Sequence, residues 1–274
     1  MPFQNSSSWK RKQKLILTGV VVMLLGTMTV FVVFGLLRLG QKKIPTVEEQ
    51  QWKGRGTTEH LVEIVLGRCY NFITTINSEL RNKDCLRVWK LFEQAFLYKD
   101  PCSMTKEDYQ PLMDLARYSI PCNKSLFWSK TYDLAHHYTK TNHDFLTLED
   151  TLLGYIADGI TWCGNPSDSG VNYESCPNWT ECENNPSSVY WKLASKMFAE
   201  TSCGTVQVML NGSTATGAFR KSSIFGSVEI VNLNPEKVSK MQIWLMHDIG
   251  GPQRPAQLLQ CTRNPNHTAC TVCS

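Results

Sequence analysis

Apolar residues recur at three- and four-residue intervals in three stretches, HLVEIVLGRCYNFI from His60, LRVWKLFEQAFL from Leu86 and EDYQPLMDLARYSI from Glu107. That period predicts amphipathic helices, and residues 60–160 as a whole read as helical. Thr105-x-x-Asp108 and Thr147-x-x-Asp150 have the form of capping boxes. From Cys163 to Asn185 the period is lost and the chain turns rich in Gly, Asn, Ser and Pro with three cysteines, a loop region suited to disulfide stapling. Ser188–Glu200 predicts one more helix. Short apolar runs follow at Thr205–Leu210, Val228–Leu233 and Met241–Met246, each read as a strand. The link between the last two is short for a parallel crossover. The fold expected is α+β, a helical lobe over about 59–160 and a small α/β lobe over about 186–274 with a mostly parallel sheet, with the mouth of a cleft between them.

A different pattern occupies the N-terminus. Leu15–Leu37 is an uncharged run of 23 residues, long enough as a helix to cross a bilayer core of about 30 Å. Basic residues follow it directly at Arg38, Lys42 and Lys43 instead of a small-residue cleavage site, so a retained anchor is expected rather than a signal peptide. Residues 1–14 then form a cytoplasmic tail, residues 38–58 a stalk, and residues 59–274 one folded domain.

The net charge of +4 comes from this end. Residues 1–43 hold seven Lys/Arg and no acidic residue, and the remainder carries a net −3. No polycationic groove is expected, and no nucleic-acid partner. All eleven cysteines lie beyond the apolar run, without paired CxxC spacing, and four sequons at Asn123, Asn178, Asn211 and Asn266 lie there too. Together they indicate an oxidising exterior, and hence a single-pass type II plasma-membrane protein with its C-terminal bulk outside.

Few residues announce chemistry by type alone. On a Val228–Leu233 strand Glu229 would share a face with Val231 and Leu233, a carboxylate among side chains that favour burial. Glu149 and Asp158, nine residues apart, would face one site only if their helix ended early, which Gly154 and Gly159 permit. His136-His137 reads as a surface pair, since adjacent residues diverge on a helix, and no metal is expected.

The motifs TLEDTLLGYIADGITWCG, SCPNW, NNPSSVYWK, FAETSC, VMLNGS, FGSVEIVNLNPEKV and LQC occur in the order seen in ADP-ribosyl cyclase/cyclic ADP-ribose hydrolases, which the chain resembles to about Pro252. The resemblance implies an ectoenzyme that cleaves the nicotinamide–ribose bond of NAD, giving ADP-ribose with some cyclic ADP-ribose synthesis and hydrolysis. NAD is then a substrate, and no cofactor is implied. It further implies catalytic roles for Glu229, Glu149 and Trp191. Trp128 pairs with Trp191 around the nicotinamide, Asp158 meets the nicotinamide amide, and Ser129, Lys130, Ser223 and Phe225 cradle the diphosphate. The implied disulfides are Cys69–Cys85, Cys102–Cys182, Cys122–Cys203, Cys163–Cys176 and Cys261–Cys270, leaving Cys273 over.

Two departures stand out. Ile224 occupies a position where the family pattern has Thr, removing one hydroxyl. Between MQIWLMHDIGGP and QRPAQLLQC the chain lacks a helix and strand that the family places there, which is expected to expose the edge of the neighbouring strand. A second reading of the same ectodomain is a catalytically silent surface receptor, and a homodimer or surface-protein partners fit either reading.

Overall fold

Val206, Val208 and Leu210 alternate along one strand with Gln207 and Met209, and all five are buried. A strand covered on both faces lies at the centre of a layered structure. The computed structural model describes residues 51–167 and 170–247 together with the backbone of 257–261. In it this strand is β2 (Gly204–Asn211), after β1 (Leu126–Ser129) and before β3 (Val238–Met246) and β4 (Gln257–Cys261), in spatial order β1-β2-β3-β4. β1 and β3 both run parallel to β2, and β4 runs antiparallel to β3. The sheet is thus mostly parallel. The outer edge of β3, expected to be bare, is paired from Met241↔Cys261 to Leu245↔Gln257.

Among the described residues the longer helices that flank it are α1 (Leu61–Asn71), α2 (Cys85–Phe96), α3 (Lys106–Ala116), α4 (Tyr132–Asn142), α5 (Leu152–Ala157) and α6 (Pro186–Thr201). Their starts are written in the sequence. Asp84 accepts hydrogen bonds from the N–H groups of Leu86 and Arg87, and Thr105 and Thr147 form capping boxes with Asp108 and Asp150. Asn185 caps α6, with Pro186 at its first position. Phe92, Tyr109, Trp162 and Tyr190 pack ring against ring in the main core, Phe92 and Trp162 with centroids 4.9 Å apart. That core runs without a break from Leu61 in α1 to Leu245 in β3, so helices and sheet share one interior. The opposite sheet face is closed by α4, where Ala135 packs with Leu126 and Met209.

Two expectations from the sequence are corrected. The 60–160 region is not all helix, because Leu126–Ser129 pairs with Gln207–Leu210 as β1. Val228–Leu233 is not a strand. Phe225–Glu229 forms a wide π-helical turn that runs into an α turn at Ile230–Asn232. Helical spacing then buries Phe225, Glu229 and Leu233 together and turns Val231 outward. The crossover between parallel strands β2 and β3 is therefore residues 212–237, long enough for right-handed passage over the sheet.

Among the described residues four disulfides form, Cys69–Cys85, Cys102–Cys182, Cys122–Cys203 and Cys163–Cys176. The Cys261–Cys270 pair, Cys273, Asn266 and Leu15–Leu37 lie outside the described residues. Among the described residues no helix is long and apolar enough to cross a membrane.

Candidate active site

In a parallel sheet a ligand commonly binds beyond the carboxyl ends of the strands. Here a cavity of about 710 Å³ opens at the carboxyl end of β1, beside residues of the crossovers that follow β1 and β2. Trp128 and Ser129 come from the end of β1 and Lys130 follows, in left-handed backbone at φ 59°. The crossover after β1 contributes Glu149, Asp158 and Trp191, and the crossover after β2 contributes Ser223, Phe225 and Glu229. All nine residues singled out in the sequence line this one cavity.

Glu149 sits in a 3-10 turn, Leu148–Asp150, fixed by the Thr147 capping box. α5 packs hard on that turn. A Cβ on Gly154 would lie 2.0 Å from the Leu148 carbonyl oxygen and 2.5 Å from Glu149 Cα, so only glycine allows the approach. The helix then stops at Asp158, which is extended, and Gly159 follows at φ 67°. Gly159 marks the end of the helix and Gly154 serves close packing. The early stop brings Glu149 and Asp158 to the same cavity.

The Glu149 side chain is 11% exposed. Its Oε2 accepts from Trp128 Nε1 at 3.3 Å and lies 3.6 Å from His136 Nε2. Burial raises the Glu149 carboxyl above its ordinary value, opposed by its own backbone N–H, by His136 and by the Trp128 indole. His136 corrects the sequence reading: it is buried, while His137 is exposed. The Tyr132 ring lies 4.1 Å from the His136 ring, and its hydroxyl donates to both oxygens of Asp158, at 3.2 and 3.4 Å. Burial and the Asp158 charge push the Tyr132 hydroxyl up to about 12.

Glu229 is the more buried carboxylate, 7% exposed. Burial pushes it up to about 8, the Glu149 charge adds to the rise, and a hydrogen bond from Ser195 opposes it. Ser195 stands four residues after Trp191 on α6, so both present to the cavity from one helix face. That face is held by the neighbouring Tyr190, whose hydroxyl donates to the Leu153 carbonyl at 2.7 Å and ties α6 to α5. Phe225 is buried beneath the cavity floor beside Phe127, with ring centroids 6.3 Å apart. The Ser223 hydroxyl is committed within its own loop, donating to the Arg220 carbonyl at 2.7 Å and accepting from Gly226 N–H at 3.0 Å.

Polar residues at or near the cavity that were not found from the sequence as site residues include Ser195, Arg220, Tyr132, Asp133 and His136. Helical spacing from Trp191 could have found Ser195, and spacing from Tyr132 could have found His136. Arg220 has no such signal. A second cavity of about 610 Å³ shares Trp191, Ser223 and Ile224 as a wall with the first. Among the described residues, no group of three or more His, Cys, Asp or Glu side chains is arranged to hold a metal ion.

Chemically, the cavity is an acidic, aromatic-walled cleft suited to a planar cation. A family model for ADP-ribosyl cyclase matches residues 58–256. Over 251 residues the chain is 46% identical to ADP-ribosyl cyclase/cyclic ADP-ribose hydrolase 1 of Rattus norvegicus, covering 81% of this chain and 82% of that one. The fold is similar to porcine CD38 complexed with a covalent intermediate, ribo-F-ribose-5'-phosphate, at a TM-score of 0.70 and 50% identity, covering 74% of this chain and 87% of the other. It is also similar to Aplysia cyclase complexed with substrate NGD and product cGDPR, at a TM-score of 0.65 and 33% identity, covering 73% of this chain and 80% of that one. The chain belongs to the ADP-ribosyl cyclase family.

Proposed function

We infer that this chain is an enzyme that cleaves the nicotinamide–ribose bond of NAD, releasing nicotinamide and ADP-ribose, and that it also makes and hydrolyses cyclic ADP-ribose. The observation that carries this reading is the pair of largely buried carboxylates, Glu229 and Glu149, facing one cavity walled by Trp128 and Trp191. Burial penalises the charge on both, and the Glu149 charge adds to the penalty on Glu229. A pyridinium beside them offsets that penalty, so a cationic nicotinamide ring is the ligand the site favours.

Nicotinamide is cationic while attached and leaves neutral, so the departing group needs no proton, unlike the sugar oxygen in most glycoside hydrolysis. One carboxylate is then sufficient. Glu229, ionised as the cation docks, stabilises the oxocarbenium-like ribose in a water-poor cleft, either by charge alone or through a ribosyl ester. Trp128 and Trp191 stack on the nicotinamide end, with Asp158 at its amide. Ser129, Lys130, Ser223 and Phe225 form the diphosphate region. Ser223 acts there by shaping the loop, because its hydroxyl is already engaged on both sides. Water on the ribosyl centre gives ADP-ribose, and adenine on the same centre gives cyclic ADP-ribose.

Residues 1–14 are read as a cytoplasmic tail and Leu15–Leu37 as the membrane anchor, with the catalytic domain outside and glycans at the sequons. The support is the uncharged run, the sequons and the four disulfides. Cells expressing the full chain and given external NAD are expected to accumulate nicotinamide and ADP-ribose in the medium. Release seen only after lysis would overturn the outward orientation, and no release in either case would overturn the enzyme.

Glu149→Gln is expected to raise the ratio of cyclic ADP-ribose to ADP-ribose several-fold while nicotinamide release continues. A neutral acid resembles Gln, so the wild-type ratio should move toward that of the variant as pH falls through the raised Glu149 pKa, and the variant should stay flat. Equal pH dependence in both proteins would remove Glu149 from control of the outcome.

A further inference from the structure

The cavity carries an excess of acid: Asp133, Glu149, Asp158 and Glu229 line it, against Lys130 and Arg220. A dinucleotide with one cationic ring and two phosphates must divide itself between these groups. The ring belongs with the buried carboxylates, so the phosphates belong with the cations. Lys130 is exposed, at the end of a flexible stem.

Arg220 is different. It is half-buried, its Nη2 donates to Ser129 Oγ at 3.2 Å, and none of the ion pairs among the described residues includes it. Partial burial of a charge without an opposite partner costs free energy that an incoming anion recovers. The neighbouring loop offers little else. Ile224 has no hydroxyl, and the Ser223 hydroxyl is spent on Arg220 O and Gly226 N–H. A guanidinium is permanently charged, and its planar fork matches two phosphate oxygens at once.

We propose that Arg220 is the principal diphosphate-binding residue of this chain, steadied by Ser129 and assisted by Lys130, a role that rests on the reading of NAD as substrate. The guanidinium fixes the substrate's middle and thereby sets the ribose carbon over Glu229. It takes no part in breaking the bond.

The test compares NAD with nicotinamide riboside, which has the same scissile bond and no phosphate, using membranes from cells expressing the full chain. Arg220→Ala is expected to raise KM for NAD about 10- to 100-fold, the range for charged hydrogen bonds, with kcat little changed. Its loss of kcat/KM should be at least about tenfold larger for NAD than for the riboside. Inhibition by added ADP-ribose should weaken in parallel, and inhibition by nicotinamide should not. Arg220→Lys, which keeps the charge and loses the fork, should fall between wild type and Ala, and it supplies the comparison if the Ala protein does not fold. Equal losses on the two substrates would assign Arg220 to loop structure and overturn the proposal, as would an unchanged KM for NAD. Wild-type protein that releases no nicotinamide from NAD would instead overturn the reading of the enzyme on which the proposal rests.

Discussion

Glu229→Gln is expected to lower kcat for nicotinamide release by at least about 10³-fold, at the upper end of what one preorganised electrostatic group contributes, and at the same time to stabilise the protein at neutral pH. The two effects share a cause. The carboxyl is buried, and its folded-state pKa of about 8 lies above the ordinary 4.5. The folded protein therefore binds a proton across that window that the unfolded chain has already released. Stability from the protonated form is complete below about pH 4.5 and is lost as pH rises through about 8. At 1.36 kcal/mol per unit the loss is on the order of 3–5 kcal/mol. Glutamine cannot ionise and still accepts a hydrogen bond from Ser195, so it avoids that loss. Thermal melts of the two proteins at pH 5 and pH 8 should nearly coincide at the first and separate at the second, with the variant higher. A separation independent of pH would show that burial of the charge is not its source, and retained turnover would remove Glu229 from the chemistry.

Gly226→Ala is the second large effect, expected to cost about 1–3 kcal/mol in the manner of an overpacked interior site and to depress both catalysis and NAD affinity. A Cβ at this position would stand 2.3 Å from the Arg220 carbonyl oxygen and 3.0 Å from Lys221 Cα. Both are backbone atoms, so no side chain can rotate out of the way. The loop must move, taking with it the Arg220 carbonyl that receives Ser223 and the turn that holds Glu229. Gly217→Ala is the matched control. Gly217 has φ 86°, and a methyl group added there would meet nothing within 4 Å, so that change costs only left-handed strain, about 1 kcal/mol, and should leave turnover intact. Comparable losses in the two variants would show that close approach at Gly226 is not what the glycine provides.

The sequence disclosed some of this by mechanism and some only by resemblance. Helix periodicity and the Thr105 and Thr147 capping boxes were legible because each rests on local backbone chemistry. The strands β2 and β3 were legible from their apolar runs. β1 was missed because four residues, LFWS, are too few to separate a strand from the helices around it. Val228–Leu233 misled because β-branched residues favour extended backbone. In the fold that preference loses to the gain from burying Phe225 and Leu233 on one helical stripe, with Asn232 Nδ2 satisfying the Val228 carbonyl at 2.7 Å. The same stripe answers why a glutamate sits among apolar neighbours, since Glu229 falls between those two and is carried inward with them. Buried polar neighbours such as His136 and Ser195 carry no mark in one sequence, because their roles depend on which helix packs beside them.

The cystine joining Cys122 to Cys203 closes a loop of 81 residues just before the first strand and just before the second. Parallel pairing of strands so far apart in the chain is slow, because the ordering of the whole intervening loop precedes any reward. Oxidation at this site brings the strand starts together in advance and limits the denatured ensemble by roughly 4–5 kcal/mol in the chain-entropy account. The cleft is then expected to assemble after thiol oxidation. A chain held in reducing conditions should contain every catalytic side chain and yet show little turnover, with activity rising as its disulfides form.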